Sequence, residues 1–130
     1  MQTIKTTSAP SAIGPYSQGI VAGGFLYTAG QIPLVPSTMQ LIDGGIEKQT
    51  EQVLSNLEAI LTAAGTTWDS VVKTTIFLTD LNDFATVNSI YEQRLKTAKP
   101  ARSTVQVAAL PRDVKIEIEL IATVKHNEQS

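Results

Sequence analysis

The sequence contains no cysteine and only one histidine, His126, in a polar stretch near its end. Without cysteine, a disulfide framework, a thiolate metal site and a cysteine nucleophile are excluded. A lone histidine in a polar tail cannot supply a Ser–His–Asp triad or the clustered ligands of a zinc site. No Walker-type or dinucleotide-type glycine pattern follows a strand. We therefore expect any catalysis to proceed without a metal or a cofactor.

Long apolar runs and runs of basic residues are also missing. No window approaches 18 apolar residues, and the N-terminus carries no apolar signal-like region, so we predict a cytoplasmic protein without a membrane span. Ten Lys and Arg against twelve Asp and Glu give a net charge of −2. Because nucleic-acid binders normally carry a basic stripe, this balance argues against RNA or DNA as the main ligand.

Length and composition are those of an ordinary globular protein. The chain has 130 residues, of which 42% are hydrophobic and 17% are charged. This is enough to bury one core but too short for two, so we predict a single domain over residues 1–130.

Residue periodicity predicts alternating strands and helices. Two β-prone runs flank Gly23-Gly24, which favours a tight hairpin. Apolar residues at helical spacing predict a helix from Ile46 to Ala64 and a second one from Phe84 to Leu95, capped by Asn82 or Asp83. The predicted strands span residues 17–22, 25–29, 71–79, 102–109 and 114–124.

The last of these strands shows the clearest pattern. Val114, Ile116, Ile118, Leu120, Ala122 and Val124 alternate with mostly polar residues, so one face packs under helices while the other stays mostly polar. Two amphipathic helices can cover only one face of such a sheet. We therefore predict an α+β fold in the order β-β-β-α-β-α-β-β, with both helices on one side. The open face would meet water or a partner subunit.

Two charged residues of the last two strands stand out as candidates for chemistry. Arg102 follows Pro100 closely, in a backbone that the proline favours as extended, and its guanidinium can bind a carboxylate through two parallel hydrogen bonds. Glu117 lies on the polar side of the next strand. An arginine and a glutamate facing one cleft would place a carboxylate clamp beside an acid–base group. By spacing alone, however, both can equally be exposed charges on strand surfaces.

Two further polar residues can each be interpreted as either a site residue or a structural one. Tyr16 lies in the turn Ile13-Gly14-Pro15-Tyr16-Ser17-Gln18, where it can display a phenol at a cleft or anchor the loop on the core. Asn88 interrupts the apolar stripe of the second helix, where it is either a site residue or a satisfied surface group.

Several longer motifs together resemble one known family. They are Ile13-Gly14-Pro15-Tyr16-Ser17-Gln18-Gly19, Ala29-Gly30-Gln31-Ile32-Pro33, residues 80–88, Pro100-Ala101-Arg102-Ser103 and residues 114–119. Their order and spacing resemble those of the RidA/YjgF family of enamine/imine deaminases, with agreement from about Pro10 to Val124. The resemblance implies a chorismate-mutase-like fold with a mixed sheet of about six strands. It also implies a homotrimer with ligand clefts between subunits.

The same resemblance implies a reaction and a set of site residues. The reaction is hydrolysis of 2-aminoacrylate, 2-iminopropanoate and 2-iminobutanoate to 2-oxo acids and ammonia. The family's carboxylate-binding arginine and water-activating glutamate fall on Arg102 and Glu117. Its cleft tyrosine, asparagine and glycine fall on Tyr16, Asn88 and Gly30.

Two positions depart from the family pattern. Ala29 stands where a serine is common, which removes one hydroxyl from the cleft. Thr104 stands where a cysteine is common, and it can replace that residue if the position acts through its backbone. Two other functions stay open at this stage. One is a regulatory protein that binds 2-oxo acids without turnover, and the other is an endoribonuclease or translation inhibitor.

Overall fold

A computed structural model of the chain describes residues 1–125, so the histidine of the polar tail lies outside the described residues. Its strands and helices follow the predicted order β-β-β-α-β-α-β-β. The strands are β1 (Gln2–Ile4), β2 (Gly19–Ala22), β3 (Phe25–Thr28), β4 (Val71–Leu78), β5 (Ala101–Gln106) and β6 (Ile116–Thr123), and the helices are α1 (Ile46–Ala63) and α2 (Phe84–Leu95).

All six strands form one mixed sheet in the order β1-β2-β3-β6-β4-β5. Neighbouring strands are antiparallel except for β4 and β5, which are joined by α2 and run parallel. A parallel neighbour requires such a crossover connection. Because β5 is the last strand in the sheet, one of its edges has no neighbour within residues 1–125.

Both helices pack on the same face of the sheet, as predicted. The core between them and the strands contains fully buried side chains from α1, β4 and β6, including Leu54, Leu57, Ile76, Ile116 and Ile118. The alternation of β6 explains this arrangement, because its even-numbered residues point to the helices and its odd-numbered residues point away. Within residues 1–125, neither helix combines the length and apolar character needed to cross a membrane.

The local turn chemistry also follows the sequence. Gly23 and Gly24 both have positive φ, at 59° and 84°, as a primed hairpin turn requires. Gly65, directly after the C-cap of α1, has a φ of 76°. The start of α2 agrees with the prediction in its N-cap residue but lacks the expected capping bond. Asp83 occupies the N-cap without a side-chain bond, while Asp80 accepts a hydrogen bond from the Asn82 N–H one turn earlier.

The open face of the sheet is more apolar than predicted. Phe25, Tyr27 and Val105 are 37%, 45% and 42% exposed there, and Phe77 and Ile121 are partly buried beside them. Tyr27 lies opposite Ile121, and Phe77 lies between Glu117 and Val105 in register. The open face thus carries two apolar groups, Phe25, Tyr27 and Ile121 in one and Phe77 and Val105 in the other.

Candidate active site

Arg102 lies on β5 and points to the face that the helices cover. It is in register with Thr74 of β4, whose side chain is completely buried on that face. Its Nη1 donates a 2.7 Å hydrogen bond to Oδ1 of Asn88 on α2. A guanidinium has five N–H donors, so most of them stay free for a ligand. Asn88 and Arg102 line a cavity of about 420 Å³ together with Lys96 and Lys99. Glu92 also lines this cavity, but the three cationic side chains outnumber it, so the surroundings carry an excess of positive charge that suits an anion.

Thr104 lies two residues further along the same strand. The N–H of Val107 bonds to the carbonyl of Leu78 on β4. Backbone groups of successive strand residues point alternately to the two sides of a strand. Thr104 is three residues before Val107, so its N–H and C=O point away from β4, to the unpaired edge of β5. Its Oγ1 is buried and has no hydrogen-bond partner among residues 1–125. The backbone of Thr104 can thus contact a ligand that approaches this edge beside Arg102. We call Arg102, Asn88 and Thr104 the arginine half-site.

Glu117 lies on β6 and points to the opposite face of the sheet. It is in register with Phe77 of β4. Phe77 is three residues after Thr74, an odd separation that places the two side chains on opposite faces of the strand. Glu117 is half-buried, and the pKa of its carboxyl is raised, first by burial and then by the charge of Glu119. A raised carboxyl pKa is common at acid–base sites.

The carboxylate of Glu117 packs directly over Gly30. A Cβ atom at position 30 would lie 2.1 Å from Oε2 of Glu117. This segment adjoins β6 because the N–H of Gln31 bonds to the carbonyl of Ile118 and the N–H of Ile118 bonds back to Gln31. Only glycine therefore leaves room for the carboxylate in this position.

Tyr16 and Ala29 lie beside Glu117 in a second cavity of about 530 Å³. The Tyr16 side chain is 54% exposed, and its hydroxyl accepts a 3.3 Å hydrogen bond from the backbone N–H of Ile13. Ala29 contributes a methyl group and donates its backbone N–H to the carbonyl of Gln18. We call Tyr16, Ala29, Gly30 and Glu117 the glutamate half-site. Its remaining walls are mostly apolar and include Ile13, Ile32, Leu34, Met39 and Pro111.

A buried glutamine fixes the loop that forms one wall of this second cavity. Gln18 is 3% exposed, and its Oε1 accepts a 2.7 Å hydrogen bond from the Thr6 N–H. Its Nε2 donates to the carbonyls of Thr6, Ala9 and Pro10 at 2.9, 3.2 and 2.8 Å. The sequence pattern gave this residue no role beyond membership of a motif, because its function depends on a loop eight to twelve residues away.

Six of the seven candidate residues are therefore divided between two cavities, and the seventh, Thr104, follows Arg102 on β5 without lining either one. Neither of these two cavities contains both Arg102 and Glu117, which lie on different strands and opposite faces. Residues 1–125 also contain no group of three His, Cys, Asp or Glu side chains that could hold a metal ion. Each half-site is well defined by itself: one can bind an anion, and the other offers a carboxyl group with a raised pKa.

A six-stranded mixed sheet with two helices on one face is the α+β architecture of RidA-type proteins. Residues 6–124 match the family model described as Endoribonuclease L-PSP, and the chain belongs to this family, which is also called the YjgF/RidA family.

Two curated relatives and one solved structure illustrate the similarity. A RutC family protein of Synechocystis sp. is 54% identical over 126 residues, which cover 95% of this chain and 97% of that protein. A human protein named 2-iminobutanoate/2-iminopropanoate deaminase is 50% identical, over 93% of this chain and 88% of its own length. The structure of E. coli TdcF with bound serine superposes with a TM-score of 0.91 at 45% identity, covering 96% of this chain and all of that one (100%).

Proposed function

We propose that this protein hydrolyses small 2-imino acids and their enamine tautomers to 2-oxo acids and ammonia. The observation that carries the proposal is the pair of half-sites, one suited to a carboxylate and the other to proton transfer, in a chain that belongs to a family with a named imine deaminase. The serine bound to TdcF supports a ligand of amino-acid size with a carboxylate.

The proposed site is completed between two copies of the chain. The arginine half-site lies at the unpaired edge of β5, and the glutamate half-site lies on the open face, so a neighbouring copy can bring its own glutamate half-site to this edge. The apolar side chains of the open face support such an assembly. We propose a closed ring of three copies, in which each interface holds one site.

Each half-site has a distinct part in the proposed reaction. Arg102 binds the substrate carboxylate with two parallel hydrogen bonds, and the outward N–H of Thr104 adds a third donor. This binding fixes C2 of the imine opposite the Glu117 carboxyl of the neighbouring copy. Orientation of this kind converts an encounter in solution into a step within one complex.

The chemistry requires only water and a proton carrier. Water adds to C2 as the C=N π bond breaks, and the ionised Glu117 takes the proton that the water loses. Glu117 returns that proton to the nitrogen, which gives a carbinolamine with an NH2 group. The carboxylate then takes the hydroxyl proton and passes it to the same nitrogen, so that the C–N bond breaks, ammonia leaves and the carbonyl of the 2-oxo acid forms. Such general acid–base help typically contributes about 10²–10⁴-fold to a rate.

The proposal can be tested by coupling the protein to a threonine dehydratase that releases 2-iminobutanoate. We expect faster 2-oxobutanoate formation and less semicarbazide-trapped imine with the wild type. Arg102→Ala and Glu117→Gln, checked for folding by circular dichroism, should lose this effect. Full activity in either folded variant would refute the assignment.

A second outcome of the same experiment would favour a regulatory role. Ala29 removes a hydroxyl that is common at this position of the family, and a cleft that binds without turnover is compatible with that change. Saturable binding of 2-oxobutanoate without acceleration of imine loss would indicate a sensor of 2-oxo acids. Cleavage of RNA, lost at high salt, would instead indicate the ribonuclease activity that the family description mentions.

A further inference from the structure

The arginine half-site is backed by two aromatic rings of α2. Phe84, Asn88 and Tyr91 are separated by four and three residues, so all three lie on one face of the helix. The Cζ atom of Arg102 lies 5.2 Å from the centroid of the Phe84 ring and 5.1 Å from that of Tyr91. Both distances are within the range at which a guanidinium is attracted to an aromatic face.

The Tyr91 ring is itself fixed from the sheet side. Its hydroxyl forms a 2.8 Å hydrogen bond with Oγ1 of Thr74, and both residues are buried. Thr74 lies directly opposite Arg102 in the register of β4 and β5. Burial, as the largest cause, raises the pKa of Tyr91, which keeps the phenol neutral. One buried hydrogen bond thus sets the position of the ring relative to the strand that carries the arginine.

We infer that Phe84 and Tyr91, with Thr74 as an anchor, are positioning residues that hold the guanidinium of Arg102 in the orientation needed for the substrate carboxylate. The inference rests on the proposed function, because it assigns to these residues a role in binding through Arg102. A long arginine side chain on an exposed strand otherwise samples many rotamers, and contact with two rings and Asn88 restricts them. A lysine ammonium cannot reproduce this arrangement, because it lacks the planar fork that both the rings and the carboxylate require.

Four single variants separate positioning from simple stability. Tyr91→Phe keeps the ring but removes the bond to Thr74, whereas Tyr91→Leu and Phe84→Leu each remove a ring. Val87→Ala is the matched control, because Val87 is completely buried on the same helix but contributes no aromatic ring to the two that lie against Arg102.

The measurements are the Kd of the unreactive product 2-oxobutanoate and the KM and kcat of imine hydrolysis. We expect both leucine variants to raise Kd and KM in parallel by about three- to thirtyfold, with a smaller change in kcat. The Kd and KM of Tyr91→Phe should lie between those of the leucine variants and the wild type. Val87→Ala should leave both constants unchanged. Leucine variants that match Val87→Ala in Kd and KM would overturn the inference.

A ligand-independent readout keeps the two proposals distinguishable. In the wild type, the Nε–H resonance of Arg102 should carry a ring-current shift, which either leucine variant should reduce toward the value of a free arginine. If the wild type shows no turnover, the proposed function fails while this resonance still tests the contact between guanidinium and rings. An unchanged resonance in both leucine variants would refute the positioning role even in an active enzyme.

Discussion

At the scale of single residues, the site depends on small side chains and on neighbours rather than on reactive groups. Gly30 leaves the space that the Glu117 carboxylate occupies, and Glu119 contributes to the raised pKa of that carboxyl. The choice of Arg102 and Glu117 as candidates was possible from the sequence through resemblance to a family. Their surroundings could not be predicted, because the rings and charges near them come from other helices and strands and leave no local sequence pattern.

Gly30→Ala tests the space beside Glu117. The added Cβ would lie 2.1 Å from Oε2 and 2.8 Å from Cδ of Glu117, so the carboxylate must move. Because the end of a flexible side chain can yield, we expect the variant to fold but to lose most of the roughly 10²–10⁴-fold contribution of acid–base catalysis. Gly45→Ala is the control, since a Cβ there meets no atom within 4 Å. Equal kcat values for the two variants would contradict this account of the site.

Glu119→Gln tests the electrostatic control of Glu117. The proposed mechanism starts from ionised Glu117, so activity should fall as the pH drops through its raised pKa. The negative charge of Glu119 raises that pKa, and its removal should therefore lower it and shift the acidic limb of the kcat/KM profile to lower pH. Glu47 is an exposed glutamate on α1, and the dependence of kcat/KM on pH in Glu47→Gln serves as the reference. A shift to higher pH would show that another group controls this limb.

At the scale of elements, the order of strands and helices was predicted correctly from periodicity and turn residues. The helices were the most accurate, with α1 at Ile46–Ala63 and α2 at Phe84–Leu95. Periodicity left the role of Asn88 open and predicted an open face that was too polar. Asn88 interrupts an apolar stripe because that face of α2 meets the Arg102 guanidinium as well as the core. The open face carries aromatic residues of β3 and β4, which the polar alternation of β6 alone did not reveal.

Gln18→Met tests how the loop before β2 is held. Methionine has a similar shape but cannot bond, so buried carbonyls of the Thr6–Pro10 segment and the Thr6 N–H would lose their partner. We expect the free energy of unfolding to fall by about 2–4 kcal/mol and the Thr6 N–H to exchange faster. Gln93→Met, at an exposed position of α2, should change stability by less than about 0.5 kcal/mol. Urea denaturation and amide exchange measure both effects, and equal stability of the two variants would contradict a clamping role.

At the scale of the whole molecule, the division of the site is the central observation. Arg102 and Glu117 are 15 positions apart in the sequence, yet they lie on opposite faces of one sheet with β4 between their strands. Sequence periodicity places each residue on a face of its own strand but does not fix how strands align. The placement of Arg102 and Glu117 on opposite faces therefore follows only from the register of β4 with β5 and β6. The proposed site, which combines both residues, would therefore draw on two copies of the chain.

Mixing two inactive variants tests this requirement most directly. Arg102→Ala and Glu117→Gln would be refolded together in equal amounts, with each variant refolded alone as control and mixed oligomers verified by native mass spectrometry. In a ring with one site per interface, about a quarter of the sites would combine an intact arginine with an intact glutamate. We therefore predict recovery of about a quarter of the wild-type activity in the mixture. No recovery in confirmed mixed oligomers would contradict the account, because it would place both residues of each site in the same chain.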